Sequence, residues 1–383
     1  MKRWRIPRLR FSLRTFLVLI CIIGALLGLA AHRIETGKQR WATIAELQRL
    51  GVHVSFHDDD TYIDWTPAVI ADMTWWQTMH YANHTLRLSS VQFTSRTPAP
   101  RAFELLRDFP SIENVHLMGE GADDGILGEL VRHKKIVYLD LSKSCITDEG
   151  LARLTELPKL RGIELPPGIG DAGFIHVAKV PNLLGIRGAG GPVTDEGLKH
   201  LRGLTGMYEL GLRDTRITDE GVAYLAGMKN LVALDLSGTR VTGQCAATFV
   251  DCTNLRRLEL SRTRFDDAGL AAIGSFPVLQ DLTLAETDVT DSGMIFLPGP
   301  HLLTCLDLSN TKVTPAGLAN LTECPELNFL QIRGLPVSDA DAPMLANVPF
   351  LYELDCRETG ITMAGEAVLL KSKVKCQPWV RRW

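Results

Sequence analysis

A repeat of about 24 residues constrains this chain more than any other feature of its sequence. The clearest copy is 207–230, and the segment after it has Leu234, Leu236, Thr239 and Val241 at matching positions. The same frame gives units that begin at residues 88, 112, 136, 160, 183, 255, 279, 303, 327 and 351. A period of about 20 to 50 residues predicts a solenoid, because each unit must stack on a neighbour to bury its apolar face. We therefore expect about twelve stacked units over residues 88–375.

Each unit has residue types that predict a strand, a turn and a short helix. Apolar residues such as Leu231, Leu234 and Leu236 alternate as the inward face of a strand. A threonine such as Thr218 precedes an acidic residue and is expected to be a helix N-cap, as are Thr147, Thr194 and Thr290. A glycine recurs three residues later, where neighbouring coils are expected to leave no room for a side chain; its copies are Gly150, Gly197, Gly221, Gly269, Gly293 and Gly317.

The pattern L-x-x-L-x-L-x-x-T-x-[IV]-T-D-x-G-[LV]-x-x-L-x-x-L resembles that of leucine-rich repeat proteins, over some three quarters of the chain. The resemblance implies the α/β class, a leucine-rich repeat solenoid with a curved parallel sheet inside and short helices outside. The Thr-rich form is similar to the "TDEGL" repeats of bacterial membrane-anchored proteins, whose N-termini read much like residues 10–17. The usual Asn ladder is replaced by threonines whose hydroxyls are expected to fill part of its role: Thr215, Thr239, Thr263, Thr287 and Thr311.

The N-terminal residues predict a membrane anchor. Residues 1–14 are basic and are expected in the cytoplasm, while residues 15–32 are uncharged and apolar apart from His32. The apolar core of 16 residues gives roughly 24 Å of helix, a little short of a ~30 Å hydrocarbon layer. The alternative is a cleaved signal peptide, because 28–30 resembles a cleavage site. Both alternatives place the repeats on the non-cytoplasmic side, either anchored or secreted.

Between the anchor and the repeats, residues 33–87 are expected to be a linker and an N-terminal cap. Apolar residues from Trp41 to Leu50 have helical spacing and Gly51 suits a helix C-cap, while 52–56 alternates like a strand. A helix-plus-hairpin cap would cover the raw apolar end of the first coil. At the other end, residues 376–383 form a basic tail with Trp379 and Trp383, which is expected to close the last coil or to touch an anionic membrane surface.

The sequence predicts no metal, cofactor or disulfide framework. His53, His57, His80 and His84 invite a zinc hypothesis, but no Cys or Glu completes a known motif around them. The acidic run 58–60 lacks the features of a calcium loop. Of the eight cysteines, Cys21 lies in the apolar segment and the others are scattered, several of them in slots that other coils fill with apolar residues.

Catalysis and nucleic-acid binding are both disfavoured. The chain has no Gly-x-Ser-x-Gly, phosphate-binding Gly-Lys-Ser/Thr loop or HExxH, so we expect that it is not an enzyme. Of its 41 basic and 44 acidic residues, nine basic and one acidic lie in residues 1–40, which leaves 32 basic against 43 acidic in the remainder. The net negative charge of the remainder makes it unsuited to binding nucleic acid, because contacts to phosphates dominate the affinity of proteins for nucleic acid.

Two columns of outward-facing residues are the candidate binding surfaces. The first is mostly acidic, which favours a basic partner, and includes Asp140, Glu164, Asp235, Glu259, Asp307 and Asp355. The second directly follows the Thr column and holds Arg216, Arg240, Arg264 and Lys312. Like charges about 5 Å apart repel unless an anionic group covers them, so this column favours an anionic polymer or an acidic protein patch. A solvated edge neutralised by nearby carboxylates is the alternative.

These features together predict a non-catalytic, membrane-anchored leucine-rich repeat scaffold of the bacterial cell envelope that binds a protein or an extended polymer. Two alternatives remain open at this point. The first is a structural envelope protein that works by self-association, and the second is an accessory subunit of a membrane-bound enzyme complex.

Overall fold

The structure is a computed structural model that describes residues 25, 35–36, 38–58, 61–64, 87–94, 100–119, 121–188, 190–298 and 302–376. The chain divides into two compact units, Met1–Ile112 and Glu113–Trp383. The basic segment 1–14, the tryptophans at 65, 75, 76 and 379, and the histidines at 80 and 84 lie outside the described residues.

The described residues of the N-terminal unit form a helix over residues 38–49 (α1), three strands and a second helix, α2. Gly51 has a φ of 79°, a left-handed conformation that suits a glycine at the end of a helix. The bounds are β1, Val52–Asp58; β2, Thr61–Asp64; β3, Arg87–Phe93; and α2, Pro100–Leu106. β1 pairs antiparallel with both β2 and β3. The first predicted repeat, 88–111, thus lies in this unit, with its strand antiparallel to β1.

The C-terminal unit is a solenoid of parallel strands. Its strands are β4, Asn114–Leu117; β5, Tyr138–Asp140; β6, Gly162–Glu164; β7, Gly185–Arg187; β8, Glu209–Gly211; β9, Ala233–Asp235; β10, Arg257–Glu259; β11, Asp281–Thr283; β12, Cys305–Asp307; β13, Phe329–Gln331; β14, Glu353–Asp355; and β15, Lys375–Cys376. Each pairs in parallel with the next along the chain. The central residues, such as Leu210, Leu234 and Leu258, align in register and are buried. The predicted parallel sheet of the solenoid is confirmed.

Short helices return the chain from each strand to the next. The α-helices are α3, Asp124–Leu130; α4, Asp171–Val177; α5, Asp195–Leu201; α6, Asp219–Ala223; α7, Asp267–Ile273; α8, Asp291–Met294; α9, Pro315–Leu318; α10, Ala342–Leu345; and α11, Met363–Lys371. Segments of 3-10 helix are Gly150–Glu156, Gly243–Phe249, Ala319–Glu323 and Asp339–Asp341. Helices this short are not stable alone, so packing on the strand layer must stabilise them.

Successive coils are linked by a threonine and an aspartate 23 residues apart. Thr218 caps α6 and accepts a hydrogen bond from the Glu220 N–H at 3.3 Å. Its own N–H and hydroxyl donate to the carboxylate of Asp195, the first residue of the preceding helix, at 2.8 and 2.7 Å. The same arrangement links Thr147–Asp124, Thr194–Asp171, Thr242–Asp219, Thr290–Asp267, Thr314–Asp291 and Thr362–Asp339. The aspartate therefore ties one coil to the next.

The recurring glycine is explained by the same link. A Cβ added at Gly221 would lie 2.1 Å from Oδ1 of Asp195, and one at Gly150 would lie 2.0 Å from Oδ1 of Asp124. The predicted lack of space is therefore present, and an aspartate of the preceding coil is its cause at Gly150, Gly197, Gly221, Gly293 and Gly317. At Gly269 the nearest atoms belong instead to the Phe265 ring and to Gly243. In the motif Thr-Asp-Glu-Gly, the threonine caps a helix and the aspartate accepts hydrogen bonds from the next coil. The glycine leaves room for the aspartate of the preceding coil.

The Thr column works differently from the Asn ladder whose place it takes. The hydroxyl of Thr239 donates to the Leu236 carbonyl of its own coil at 2.6 Å, and Thr215 donates to Leu212 at 2.7 Å. Thr263, Thr287 and Thr311 bond in the same way. These hydroxyls thus hold the turn after each strand and do not connect neighbouring coils.

The expected transmembrane helix requires a correction to the predicted fold. Across the part of the chain that the structure describes, none of the helices combines the length and the apolar character needed to cross a bilayer. The segment 15–32 lies outside the described residues except for Ala25. The described residues therefore form a leucine-rich solenoid of parallel strands and short helices, and the predicted membrane span is not among their helices.

Candidate binding surface

The predicted acidic column lies in register on the outward face of the sheet. Asp140 is paired with Glu164, Asp235 with Glu259, and Asp307 with Gln331, which in turn is paired with Asp355. The structure thus brings all the predicted members onto one face of neighbouring strands. Arg187, Gly211 and Thr283 occupy the same column between them.

Arginines on the same face neutralise much of this column. Arg213 contacts two of its carboxylates at once, with Nε 2.8 Å from Asp235 and a terminal nitrogen 2.6 Å from Glu259. Burial and the nearby Asp235 raise the pKa of Glu259, although Arg213 opposes the shift. Arg187 forms a bidentate pair with Glu209, with both N···O distances 2.7 Å. Sequence reasoning missed these pairs, whose members are 22 or 46 residues apart.

The two ends of the acidic column are also satisfied within the chain. Arg357 binds Asp355 with N···O distances of 2.8 and 2.5 Å, and this hydrogen bonding holds the pKa of Asp355 below its usual value. Burial raises the pKa of Asp140, but hydrogen bonds from His116 and Ser142 outweigh it and leave the pKa lowered. A basic partner would have to compete with these internal donors, so the acidic column is the weaker candidate surface.

The arginine column is aligned by a second ladder of backbone hydrogen bonds. The Arg216 N–H donates to Val193 O at 2.8 Å, that of Arg240 to Ile217 O at 2.9 Å, and that of Arg264 to Val241 O at 3.1 Å. Each bond joins one coil to the coil before it, so the three arginines lie on successive coils. Their side chains are exposed.

These three arginines differ from six other arginines of the strands and their turns. Arg187, Arg213, Arg257, Arg262, Arg333 and Arg357 all pair with carboxylates. Within the described ranges, no ion pair forms at Arg216, Arg240 or Arg264. Lys312, the fourth predicted member, is bound to Asp288 at 2.6 Å. The column is therefore a row of three cationic groups without a counter-ion from the described residues.

The sheet face offers little room for a small molecule. The missing side chain at Gly211 leaves a hollow of about 150 Å³, lined by charged residues that include Arg187, Glu209 and Asp235. Pockets that bind small molecules are usually about 300–1,000 Å³. Both predicted columns extend across several coils, a shape that matches an extended partner.

The predicted histidine cluster gains no support as a metal site. His53 is an exposed residue of β1, whereas the side chain of His57 and all of His80 and His84 lie outside the description. Groups of three or more His, Cys, Asp or Glu side chains that could hold a metal ion are absent from the described residues.

Comparisons with known proteins agree with this architecture. The family described as Leucine Rich repeat matches residues 132–154, 251–274 and 299–321. These three segments are leucine-rich repeats. An internalin (inlF) from Listeria monocytogenes matches at 18% identity with a TM-score of 0.56, over 75% of this chain and 86% of that one. Internalin C2 (inlC2) from the same organism matches at 22% identity with a TM-score of 0.42, over 61% and 94%. No curated protein sequence matches. At 18% identity the likeness to inlF establishes the fold alone.

Proposed function

We propose that the chain is a non-catalytic binding scaffold that recognises an acidic segment of a partner protein through Arg216, Arg240 and Arg264. The observation that carries the proposal is the contrast among the arginines described above. Six other arginines of the strands and their turns pair with carboxylates, whereas these three are aligned, exposed and without an ion pair within the described residues. An acidic segment along the column would supply the missing counter-ions.

The energetics favour a bound anion over an empty column. Neighbouring strands lie about 5 Å apart, so each adjacent pair of guanidinium groups repels by on the order of 1 kcal/mol in water. A carboxylate placed between two arginines would replace this repulsion with two attractive contacts. Arginine also suits such contacts because its planar group can bind a carboxylate through two parallel hydrogen bonds.

The scaffold role agrees with how the conspicuous polar residues are used. The repeated Thr-Asp pairs, which could resemble catalytic acids, tie coils together. Asp235 and Glu259 of the acidic column are bound by Arg213 of the same face. The non-cytoplasmic location of the repeats stays a prediction, and N-terminal sequencing of the mature protein would decide between a membrane anchor and a cleaved signal peptide.

The experiment compares two triple variants in binding to immobilised poly-L-glutamate and in capture of partners from detergent extracts. Arg216, Arg240 and Arg264 are changed to Ser in one, and the exposed residues Arg161, Arg202 and Arg256 in the other. Both variants lose three positive charges, but only the first loses the column. We expect the first to bind roughly 10-fold or more weakly at low salt, and the control to bind nearly as the parent does.

Equal loss in both variants would show that net charge, and not the column, attracts the anion. Unchanged binding by the first variant would exclude the column. Capture of a polysaccharide in place of a protein would reassign the partner, and capture of only further copies of this chain would favour the self-association alternative.

A further inference from the structure

The C-terminal coils bear the most exposed apolar side chains of the part of the chain that the structure describes. Met363, Phe350 and Leu370 are 85%, 77% and 59% exposed, more than any other large apolar side chain among the described residues. Met363 and Leu370 are about two helical turns apart on α11 and therefore lie on one face of it. Single exposed apolar residues are ordinary, but a group of them marks an interaction surface.

Backbone contacts place Phe350 and Leu370 at one edge of the solenoid. Phe350 lies in the turn before β14, and Lys373 lies in the turn between α11 and β15. These two strands are parallel neighbours, so the turns that enter them meet at the same edge of the sheet. The Lys373 N–H donates to Leu370 O at 3.0 Å, which brings Leu370 to that edge as well.

The backbone at Phe350 has a conformation that a phenylalanine rarely adopts. Its φ of 58° lies in the left-handed region, where a bulky side chain is strained. Asn182, which like Phe350 is the last residue of its repeat unit, has a φ of 63°, and asparagine tolerates this conformation. Phe350 thus has neither a suitable backbone conformation nor burial within its own chain. Strain of this kind points to a contact outside the chain.

Three exposed lysines, Lys371, Lys373 and Lys375, lie beside these apolar side chains. None of them forms an ion pair with a described residue. Nζ of Lys375 donates to the hydroxyl of Tyr352 and lies 4.4 Å from the centre of its ring. This cation–π contact keeps a positive charge and an aromatic ring together at the edge. Cations interleaved with exposed apolar side chains are typical of surfaces that bind anionic lipid.

We propose that this terminal edge is a peripheral contact for an anionic lipid surface; it consists of Phe350, Tyr352, Leu370, Lys371, Lys373 and Lys375. Phe350 and Leu370 enter the boundary between headgroups and acyl chains, and the lysines bind the anionic headgroups. A protein partner would need a complementary cavity for each protruding side chain, whereas fluid lipid packs around it. The terminal edge shares no residue with the arginine column, so the two proposals are tested independently.

The test places the full chain in vesicles that carry a phosphatidylcholine analogue with a photoreactive acyl chain. One set is phosphatidylcholine alone, and the other is an equal mixture of phosphatidylcholine and phosphatidylglycerol. Mass spectrometry after trypsin then locates the lipid adducts. Cleavage after Arg333 and Arg357 gives the peptide 334–357, which contains Phe350. We expect adducts on this peptide in the mixed vesicles and roughly 10-fold fewer in phosphatidylcholine alone.

Matched variants test the lysines. Changing Lys371, Lys373 and Lys375 to Gln should reduce the adducts on 334–357 roughly 10-fold in the mixed vesicles. The control removes three other exposed lysines by the same change, Lys135, Lys159 and Lys179, and should leave the adducts unchanged. Every variant keeps residues 1–40, so attachment through that segment is common to all of them.

A second pair of variants tests the apolar part. Leu370→Ser should reduce the adducts on 334–357 several-fold, whereas Ile295→Ser, which alters a side chain that is 58% exposed, should not. Phe350→Asn suits the left-handed backbone and should keep the fold, yet lower the adducts on the peptide 358–371, which contains Leu370.

Three results would overturn the proposal. The first is a lack of adducts on 334–357 in the mixed vesicles. The second is an equal loss in the two lysine variants, which would show that net charge alone draws the chain to lipid. The third is a lack of adducts together with protection of the three lysines from acetylation by poly-L-glutamate, which would assign the terminal edge to an acidic protein segment.

Discussion

Asp195, the first residue of one helix, accepts hydrogen bonds from both the N–H and the hydroxyl of Thr218, which caps the helix of the next coil. The threonine thus serves two coils, since its oxygen also caps α6. Because coils of a solenoid are stabilised by contact with their neighbours, a tie repeated along the stack contributes to cooperativity as well as to local order.

Replacing Asp195 by Ala should lower the free energy of unfolding by about 2–3 kcal/mol, because two hydrogen bonds to a charged acceptor are lost. Denaturant unfolding measures the change. The matched control is Glu196→Ala, since Glu196 is the next residue and only forms an exposed pair with Lys199; its effect should stay below about 0.5 kcal/mol. Equal effects of the two substitutions would contradict the assigned role of the aspartate.

Gly221→Ala should destabilise the protein by about 1–3 kcal/mol, because the added Cβ would lie 2.1 Å from Oδ1 of Asp195 and 3.0 Å from its Cα. Gly203→Ala is the control, since a Cβ there meets nothing within 4 Å. We expect that control to be neutral or slightly stabilising in thermal unfolding. A tolerated Ala at position 221 would show that the coils can separate at little cost.

The hydroxyls of the Thr column make a separate, smaller contribution. Thr239 is buried, and its hydroxyl donates to Leu236 O at 2.6 Å. Thr239→Val keeps the shape but removes the donor, so we expect a loss of about 1 kcal/mol in denaturant unfolding. The exposed Thr205→Val serves as control. A loss of several kcal/mol would instead indicate that the hydroxyl connects neighbouring coils.

The repeat architecture could be predicted from the sequence because its causes are local and periodic. Leu234 marks an inward strand position, and Thr194, Thr218 and Thr290 cap helices as predicted. The predicted cap at Thr147 is wrong, since the 3-10 helix there begins at Gly150 and its N-cap is Glu149, without a side-chain hydrogen bond. The pairs that decide the surface chemistry could not be predicted in the same way. Arg213 reaches Glu259 across 46 residues and Arg187 reaches Glu209 across 22, contacts that exist only once the coils are stacked.

The candidate surface shows the same limit. The repeat period alone predicts that Arg216 and Arg240 are aligned on successive coils. The backbone hydrogen bonds of these two residues to the preceding coils confirm this alignment. Whether an arginine finds a carboxylate depends on side chains of other coils: Lys312 meets Asp288, and Arg262 meets Asp214. The four basic residues that the sequence places in one column therefore have different surroundings. Three of them have no ion pair within the described residues, and Lys312 has one.

The pair of Asp355 and Arg357 predicts a pH-dependent stability. Only 3% of the Asp355 side chain is exposed, and hydrogen bonds from Arg357 lower the pKa of its carboxyl in the folded protein. A group with a lowered folded pKa stabilises the fold above its unfolded pKa of about 3.9 and loses that contribution as the pH falls through the folded pKa.

We expect Asp355→Asn to cost about 1–2 kcal/mol at pH 7, measured by denaturant unfolding, and this difference to shrink steadily below about pH 4. Asp251→Asn, which alters an exposed pair with Lys229, should show little pH-dependent difference from the parent. A cost for Asp355→Asn that grew on acidification would mean that the carboxyl is protonated more readily in the fold than in the unfolded chain, which is the opposite of what the contact with Arg357 requires.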